Sequence, residues 1–415
     1  MAGRRGAKAA WTVLVYLAGD NNLDQSGVAD LLEMKKVGTT SRVNVVAEFD
    51  RGSGRGAKRY RLRKGGTLAA DAVASLGRLN TGDPKNLLDF VRWGVKTCPA
   101  ERYALVLWNH GQGWDDTDIY ADERHRRFRP LAHGRVRRAL FRPPVRRMLT
   151  GAIRKSEARA ILLDDDAKDF LDNVEMKRVL AASAEAIGAK LDVLGMDACL
   201  MSMAEVGYQI RESALFTVGS EQTEPGDGWP YDRLLRALAK RPEMEAQDLG
   251  EMIVREYLAS YAPGDGVTQS ACDLSKADAL AEAVAALADA LGAALRDEAS
   301  LARILAARSR IQTYEVPDNV DLADFCALLA DGMPGSEVAR RCAAVVRVVG
   351  TGAGAARGGY VVAQGSKGAD LAHSHGVATY FPTMAVSPLY ARLDWAQATG
   401  WGRFLEAWLA AVRGR

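Results

Sequence analysis

Five short, nearly continuous apolar runs, separated by amphipathic stretches, constrain the fold of this chain more than any other feature. They are predicted to be strands at 11–18, 43–49, 102–108, 191–196 and 214–219. Strands without polar alternation are typical of a parallel sheet covered on both faces, and helices between such strands supply the cover. The sequence therefore predicts an α/β fold with helices on both sides of a mostly parallel central sheet.

The remainder of the chain adds more helix than strand, especially in its second half. Helices are predicted at 23–37, 84–97, 168–187, 200–212, 230–240, 245–261, 275–297, 299–312, 319–331, 335–349 and 398–412. Further strands are predicted at 267–273, 358–364 and 376–381. A chain of 415 residues is long enough for one large α/β domain with additions, or for two domains.

A basic segment interrupts this alternation. Residues 122–160 contain many arginines, three prolines and few acids, which predicts an exposed loop or insertion between two core elements. We divide the chain into an N-terminal part (1–121), the basic segment, a second part of the core (161–265) and a C-terminal extension of helices and strands (266–415). The basic segment is a solvated linker, a surface for an acidic partner or nucleic acid, or a protease-sensitive activation loop.

Composition excludes several classes of protein. The net charge of +3 is too small to indicate a nucleic-acid partner for the whole chain. Five widely spaced cysteines without a CxxC pair argue against a disulfide framework and against a thiolate metal site. The longest apolar run near the N-terminus stops at Gly19, too short for a signal peptide or a membrane span. These features predict a cytoplasmic protein without a membrane partner.

Two polar residues follow predicted strands at the point where each strand ends. His110 follows 102–108, and Cys199 follows 191–196. Ligands of open parallel sheets bind beyond the carboxyl ends of the strands, so neighbouring strands would bring this imidazole and this thiol together. An imidazole activates a thiol as a nucleophile, and a helix beginning just after Cys199 would lower the thiol pKa further. On this evidence alone, a packing role for the cysteine is the stronger alternative.

Five short sequence motifs together resemble those of a known protein family. They are VYLAGDNNLD (15–24), VLWNHGQGW (106–114), DVLGMDACLMSMAEVGYQI (192–210), GSEQTEPGDGWPYDRLL (219–235) and HGVATYFP (375–382). In these words and in their order the sequence resembles the clostripain family of cysteine endopeptidases, which shares its fold with caspases and gingipains. The resemblance implies a caspase-like α/β/α sandwich and a peptidase.

The resemblance also implies roles for single residues. Cys199 would be the nucleophile, His110 its base, and the backbone N–H groups of Gly111 and Cys199 the oxyanion hole. Cleavage after arginine, or lysine, would need an acidic S1 pocket, for which Asp197 and Asp227 are the candidates. Helix capping is the alternative role for Asp197, and a glycine-flanked turn is the alternative for Asp227. The same phrase as Asp227 also offers Glu221 and Glu224.

The resemblance also has implications for how the protein matures and whether it needs a cofactor. Family members often cut themselves between the histidine and cysteine elements, where this chain has its arginine-rich segment, 122–160. The thiol chemistry requires no cofactor, but some members depend on calcium. Two acidic clusters offer oxygen ligands without matching an EF-hand loop, so solvated loops are the favoured interpretation. They are Asp115, Asp116 and Asp118, and Asp164, Asp165 and Asp166.

The sequence is compatible with two functions. The first is a cysteine endopeptidase that acts on protein or peptide substrates after Arg or Lys, activated by cleavage of its own basic segment. The second is a non-catalytic binding module that uses the basic segment to hold an acidic partner or nucleic acid. The sequence does not define the oligomeric state.

Overall fold

The structure is a computed structural model, and it describes residues 8–52, 54–117, 120, 161–351 and 358–414. The predicted basic segment, 122–160, lies outside the described residues. Within them, no helix is both long and apolar enough to cross a membrane.

Strands and helices alternate along the described chain. The strands are β1 (Ala9–Gly19), β2 (Val43–Arg51), β3 (Ala57–Arg61), β4 (Ala72–Gly77), β5 (Ala100–Trp108), β6 (Ile161–Asp164), β7 (Asp169–Leu171), β8 (Leu191–Asp197), β9 (Ala214–Gly219), β10 (Val267–Asp273), β11 (Asn319–Asp321), β12 (Val361–Lys367) and β13 (Ala378–Tyr380). The α-helices are α1 (Asp24–Lys35), α2 (Leu68–Asp71), α3 (Pro84–Thr97), α4 (Asn173–Ile187), α5 (Ala204–Ile210), α6 (Tyr231–Lys240), α7 (Ala246–Ser260), α8 (Ala277–Ala294), α9 (Glu298–Arg310), α10 (Leu322–Gly332), α11 (Glu337–Val349), α12 (Asp394–Thr399) and α13 (Trp401–Arg413).

The main sheet has nine strands in the order β12-β10-β9-β8-β5-β1-β2-β3-β4. The five central strands, from β9 to β2, are all parallel. Strands β3 and β4 extend one edge and β10 and β12 the other, all in antiparallel pairing. The five predicted apolar runs are these central strands, so the predicted α/β fold with its parallel sheet centre is confirmed.

Hydrophobic side chains project from both faces of the sheet. Along β1, Leu14 and Tyr16 pack into one buried cluster, whereas Val13 and Val15 pack into another. The first cluster includes residues of α3, α4 and α8, and the second includes residues of α1, α6 and α7. Burying each such aliphatic side chain contributes about 1.5–3 kcal/mol. Helices therefore cover both faces, as an α/β/α sandwich requires.

Two predicted helices begin later than expected, each for a local reason. The helix expected from 168 begins at Asn173, because Asp172 and Glu175 form a reciprocal capping box there and β7 precedes it. The helix expected from 200 begins at Ala204, because the chain after β8 makes a turn first. The second difference changes the surroundings of Cys199.

Candidate active site

The register of the two central strands places the predicted histidine and cysteine side by side. Strand β5 pairs with β8 so that Trp108 lies opposite Asp197, and the Asn109 N–H donates to the Asp197 carbonyl (3.3 Å). His110 and Cys199 each follow two residues after this matched pair. The predicted meeting of the two residues at one sheet edge thus follows from strand register.

Gly111 brings the two turns into contact. A Cβ atom built on this glycine would lie 2.5 Å from the Cys199 carbonyl oxygen and 3.0 Å from the Ala198 Cβ. No real Cβ approaches a backbone oxygen so closely, so a side chain here would push the histidine turn away from the cysteine turn. The glycine is a requirement of packing at this point.

Cys199 lies in a strained turn rather than at the start of a helix. Leu200 has a φ of 64°, a left-handed conformation that costs a non-glycine residue about 1–3 kcal/mol. The turn is held against the segment after β9, because the Leu200 N–H donates to the Gln222 carbonyl (3.1 Å) and the Ser202 N–H to that of Ser220 (2.9 Å). The expectation that a helix N-terminus follows Cys199 is therefore wrong.

The loop after β9 also covers the thiol. The Glu224 N–H donates to the Cys199 Sγ (3.2 Å), and the thiol points at the Glu224 carbonyl (3.9 Å). Burial raises the pKa of the Cys199 thiol to about 12; the Glu224 N–H opposes this, and the charges of Glu224 and Asp197 add to it. In this conformation burial therefore favours the protonated thiol at neutral pH.

His110 has a partner that sequence reasoning did not identify. Its Nε2 lies 2.7 Å from Asn22 Oδ1, and an amide oxygen only accepts, so Nε2 carries the proton and Nδ1 is the basic nitrogen. Asn109 anchors the turn, because its Oδ1 accepts from the His110 N–H (2.5 Å) and its Nδ2 donates to the Leu163 carbonyl (3.1 Å). The sequence signal that could have found this partner is the pair Asn21-Asn22 just after β1.

A group of carboxylates, which we call the acidic pocket, lies near the thiol. Asp197 ends β8 and is 5% exposed; its Oδ2 accepts from the Tyr231 hydroxyl (2.8 Å) and, more weakly, from the Trp229 N–H (3.4 Å). The Glu224 carboxyl interacts electrostatically with Asp197, and its Oε1 accepts from Gln269 Nε2 (3.2 Å). Asp30 of α1 belongs to the same group through its electrostatic interaction with Asp197 and accepts from Trp108 Nε1 (2.7 Å). Carboxylates from three separate elements therefore converge around Asp197, two residues before Cys199.

Burial is the main cause of the shifted pKa values in this acidic pocket, and like charge adds to it at Asp30 and Glu224. Burial raises the pKa of Asp197 to about 6. Burial and then the Asp197 charge raise the pKa of Asp30 to about 9 and that of Glu224 well above its ordinary value. At neutral pH Asp30 thus holds a proton that a bound cation would displace. Asp227 is exposed at its edge and adds to the potential at Asp30.

Asp30 was missed by sequence reasoning, although α1 carries its signal. The buried positions of this helix include Gly27, Asp30, Leu31 and Met34. An aspartate on the apolar stripe of an amphipathic helix is unusual unless it has a partner or a function.

The capping role considered for Asp197 is wrong, because α5 starts seven residues after Asp197 and its N-cap is Met203.

Other acidic candidates lie elsewhere. Glu221 accepts from the Tyr314 hydroxyl (2.7 Å) and the Gly376 N–H (3.0 Å) on the far side of the loop. Asp116 is buried and accepts from the Asn173 N–H (2.9 Å) at the start of α4. Asp164 is fully buried and forms a compact group with Asp20 and Asp50. Solvated loops, the favoured interpretation of the two acidic clusters, are therefore wrong for Asp116 and Asp164; Asp118 lies outside the described residues.

A thiol and an imidazole at neighbouring strand ends of an α/β/α sandwich form the arrangement of a thiol hydrolase. The model of the clostripain family matches residues 15–126 and 151–408. The chain belongs to the clostripain family of cysteine peptidases. The clostripain of Hathewaya histolytica is 25% identical over 249 residues, which are 54% of this chain and 41% of that protein. The matched stretch thus spans about two-fifths of that relative.

Solved structures show the same fold. A secreted C11 cysteine protease from Bacteroides thetaiotaomicron, in complex with an irreversible peptide inhibitor, is 20% identical with a TM-score of 0.65, covering 95% of this chain and 99% of that one. An inactive zymogen C11 protease from Parabacteroides distasonis is 19% identical with a TM-score of 0.64, covering 94% and 98%. The predicted caspase-like fold is confirmed by these likenesses.

We expect Asn22→Ala to lower kcat by about 10- to 100-fold, because it frees the imidazole to rotate away from the thiol. KM should stay nearly constant, since Asn22 bonds the histidine and lies outside the acidic pocket. Asn22→Asp is the matched control: it keeps an acceptor for Nε2 and should restore much of the rate, with the pH profile of kcat/KM displaced upward. Equal losses for both variants, with unchanged pH profiles, would contradict a positioning role.

Proposed function

We propose that this protein is a cysteine endopeptidase that cleaves after arginine, and less well after lysine. The observation that carries the proposal is the acidic pocket of Asp197, Asp30 and Glu224 beside the Cys199 thiol. Asp30, whose pKa is about 9, would release its proton to an entering cationic side chain, and the Asp197 carboxylate would pair with that side chain. A guanidinium can bind carboxylates in a bidentate manner, which favours arginine over lysine.

Substrate entry would also prepare the nucleophile. A cationic P1 side chain competes with Glu224 for Asp197, and Glu224 belongs to the loop that covers the thiol. Moving this loop exposes the Sγ and allows the proton of the Cys199 thiol to pass to His110 Nδ1. Specificity and activation would thus be linked through one residue, Glu224.

The proposed reaction has two halves. The Cys199 thiolate attacks the scissile carbonyl carbon, and the C–N bond breaks as the His110 imidazolium gives its proton to the leaving amine. Water, deprotonated by His110, then attacks the thioester carbonyl and releases the new carboxylate and the thiol. The N–H groups of Gly111 and Cys199 are the proposed donors to the oxyanion in both halves.

Self-cleavage within 122–160 is part of the proposal. The described residues that flank this segment sit close to the histidine turn: Ile161 forms a β-bridge with Gly111, and the Tyr120 hydroxyl donates to Asp165 (2.7 Å). The described residues on either side of the segment therefore lie close to the histidine turn and to the strand pair that follows the segment. Its many arginines match the proposed specificity.

A panel of fluorogenic peptides that differ only at P1 tests this function. We expect turnover with Arg, slower turnover with Lys, and at least about 100-fold lower kcat/KM with Ala or Glu at P1, since an unpaired buried carboxylate disfavours neutral and acidic side chains. Equal rates for Arg and Ala would remove the support for the S1 assignment. An absence of turnover for the whole panel, after incubation that allows self-cleavage, would contradict the peptidase.

A further inference from the structure

The C-terminal extension contacts the surroundings of Cys199 through the motif HGVATYFP (375–382), to which the proposed reaction gives no role. The Gly376 N–H donates to Glu221 Oε1 (3.0 Å), and the Gly376 carbonyl accepts from the Ser202 hydroxyl (2.9 Å). Glu221 lies in the loop that covers the thiol, and Ser202 lies in the turn that follows Cys199. One residue of the extension therefore contacts both structures that surround the nucleophile.

Only glycine fits at position 376. Its φ is 94°, and a Cβ atom built on it would lie 2.8 Å from Val361 Cγ1 and 2.9 Å from Gln364 Cβ. Both of these residues belong to β12, so a side chain here would push the motif away from the edge of the main sheet. The bonds from Gly376 to the loop and to the turn depend on this close approach.

Glu221 is the residue of the loop that receives these contacts. It is 2% exposed, and its Oε1 also accepts from the Tyr314 hydroxyl (2.7 Å). The residues on either side of Glu221 supply the two carbonyls that hold the strained turn around Leu200. The Glu221 side chain therefore anchors the part of the loop that fixes the nucleophile turn.

A second carboxyl group lies behind Tyr314. Asp321 is fully buried, and its Oδ2 lies 3.2 Å from the Tyr314 hydroxyl oxygen. Asp321 accepts from the His375 N–H (2.6 Å), from His375 Nδ1 (3.0 Å) and from the Asp324 N–H (2.7 Å). Several donors around one carboxyl group favour its ionised form. Asp321 is thus held as a carboxylate, with the His375 imidazole as its partner.

The Asp321 charge determines how Glu221 is held. A tyrosine hydroxyl has one proton, so Tyr314 donates to only one of the two carboxyl groups at a time. Burial and then the charge of Asp321 raise the pKa of Glu221 well above its ordinary value, which favours the neutral acid. A neutral Glu221 accepts from Tyr314 and Gly376 without adding a second negative charge to this buried region.

We infer that Glu221 and Tyr314 are positioning residues for Cys199, which hold the nucleophile turn in place and keep the thiol covered through the loop after β9. Their loss should affect two reactions in opposite directions. A small alkylating reagent needs only access to the sulfur, whereas a peptide also needs a correctly placed sulfur. The effect on peptide turnover rests on the proposed peptidase function, but the effect on alkylation does not.

Tyr314→Phe tests the inference, because it removes one hydroxyl and keeps the aromatic ring. Wild type and variant are treated with iodoacetamide, and alkylation of each cysteine is followed by peptide mapping on proteins whose processing state is matched by intact mass. We expect Cys199 to be alkylated about 10-fold faster in the variant, the size expected from loss of one buried hydrogen bond. The four buried cysteines should stay protected, and kcat for an Arg-terminated peptide should fall about 10-fold.

Two further variants separate positioning from a general effect on the fold. Glu221→Gln keeps an oxygen for Tyr314 and Gly376 and carries no charge, so Cys199 should be alkylated within about 3-fold of the wild-type rate. Tyr390→Phe is the matched control, because the Tyr390 hydroxyl is also buried and donates to a buried glutamate, Glu205 (2.8 Å). This control should leave both the alkylation rate of Cys199 and kcat unchanged.

The inference is overturned if Cys199 reacts at the wild-type rate in Tyr314→Phe, or if Tyr390→Phe speeds its alkylation equally. Simultaneous alkylation of all five cysteines would also overturn it, because the substitution would then act on global stability. If alkylation changes as expected while no protein, the wild type included, cleaves the peptide, the positioning role stands and the proposed peptidase function fails.

Discussion

Cys199→Ala should abolish peptidase activity, lowering kcat by at least about 10,000-fold. The reason is chemical: the covalent route needs a sulfur at this position, and the other four cysteines are buried. The same variant should stay as one chain on a denaturing gel while the wild type fragments within 122–160. Activity is measured with an Arg-terminated fluorogenic peptide after equal incubation of both proteins.

Cys342→Ala is the control for this substitution. Cys342 is fully buried in α11, in a helix that contributes nothing to the described acidic pocket, so its loss should cost about 1 kcal/mol or more of stability and leave kcat unchanged. If Cys199→Ala retained the wild-type rate, or fragmented in the same way, the nucleophile assignment would fail. If Cys342→Ala abolished activity equally, the effect of Cys199→Ala would be attributable to folding.

The second large effect should come from Asp197→Asn. This change keeps a side-chain oxygen for the Tyr231 hydroxyl but removes the charge that faces a P1 guanidinium. We expect kcat/KM for an Arg substrate to fall by about 100- to 1000-fold, the range found when one partner of a buried charge pair is removed. For a substrate with alanine at P1, the change should be small.

The dependence of kcat/KM on pH gives a second test of the role of Asp197. Because the pKa of Asp197 is raised to about 6 in the free enzyme, acidification through that pH should neutralise it, so wild-type kcat/KM for Arg substrates should fall there. Asp197→Asn should lose this part of the profile. Asp227→Asn is the control, since an exposed carboxylate at the pocket edge should change kcat/KM by less than about 10-fold. Equal losses for Arg and alanine substrates would show that Asp197 acts on folding or chemistry and not on specificity.

Much of the fold was predictable because the decisive signal is local. Each central strand is an uninterrupted apolar run, and each covering helix has its own periodicity, so neither needs tertiary information to be recognised. The edge strands β3 and β4 lacked such a signal: β4 alternates between half-exposed and exposed residues and forms only because β3 offers it hydrogen bonds. Strands stabilised by neighbours are hard to find in one sequence.

The site was predictable where it follows strand ends and unpredictable where it depends on distant contacts. His110 and Cys199 are adjacent because β5 and β8 are adjacent and in register. The bond of His110 to Asn22, by contrast, joins residues 88 positions apart, and the charge of Asp30 reaches Asp197 from a different layer of the sandwich. The turn after Cys199 misled the sequence analysis because its Met- and Ala-rich residues have helical character, while the backbone is held by the loop after β9.

The central claim is that Cys199 is the nucleophile beside a pocket for a cationic P1 side chain. An irreversible peptide inhibitor that ends in an arginine chloromethyl ketone tests both parts at once, with intact mass and peptide mapping as the readout. We expect one adduct, on Cys199, whose formation is about 100-fold slower in Asp197→Asn and absent in Cys199→Ala. An adduct on another cysteine, or labelling of Cys199 at the same rate by an alanine analogue, would contradict it.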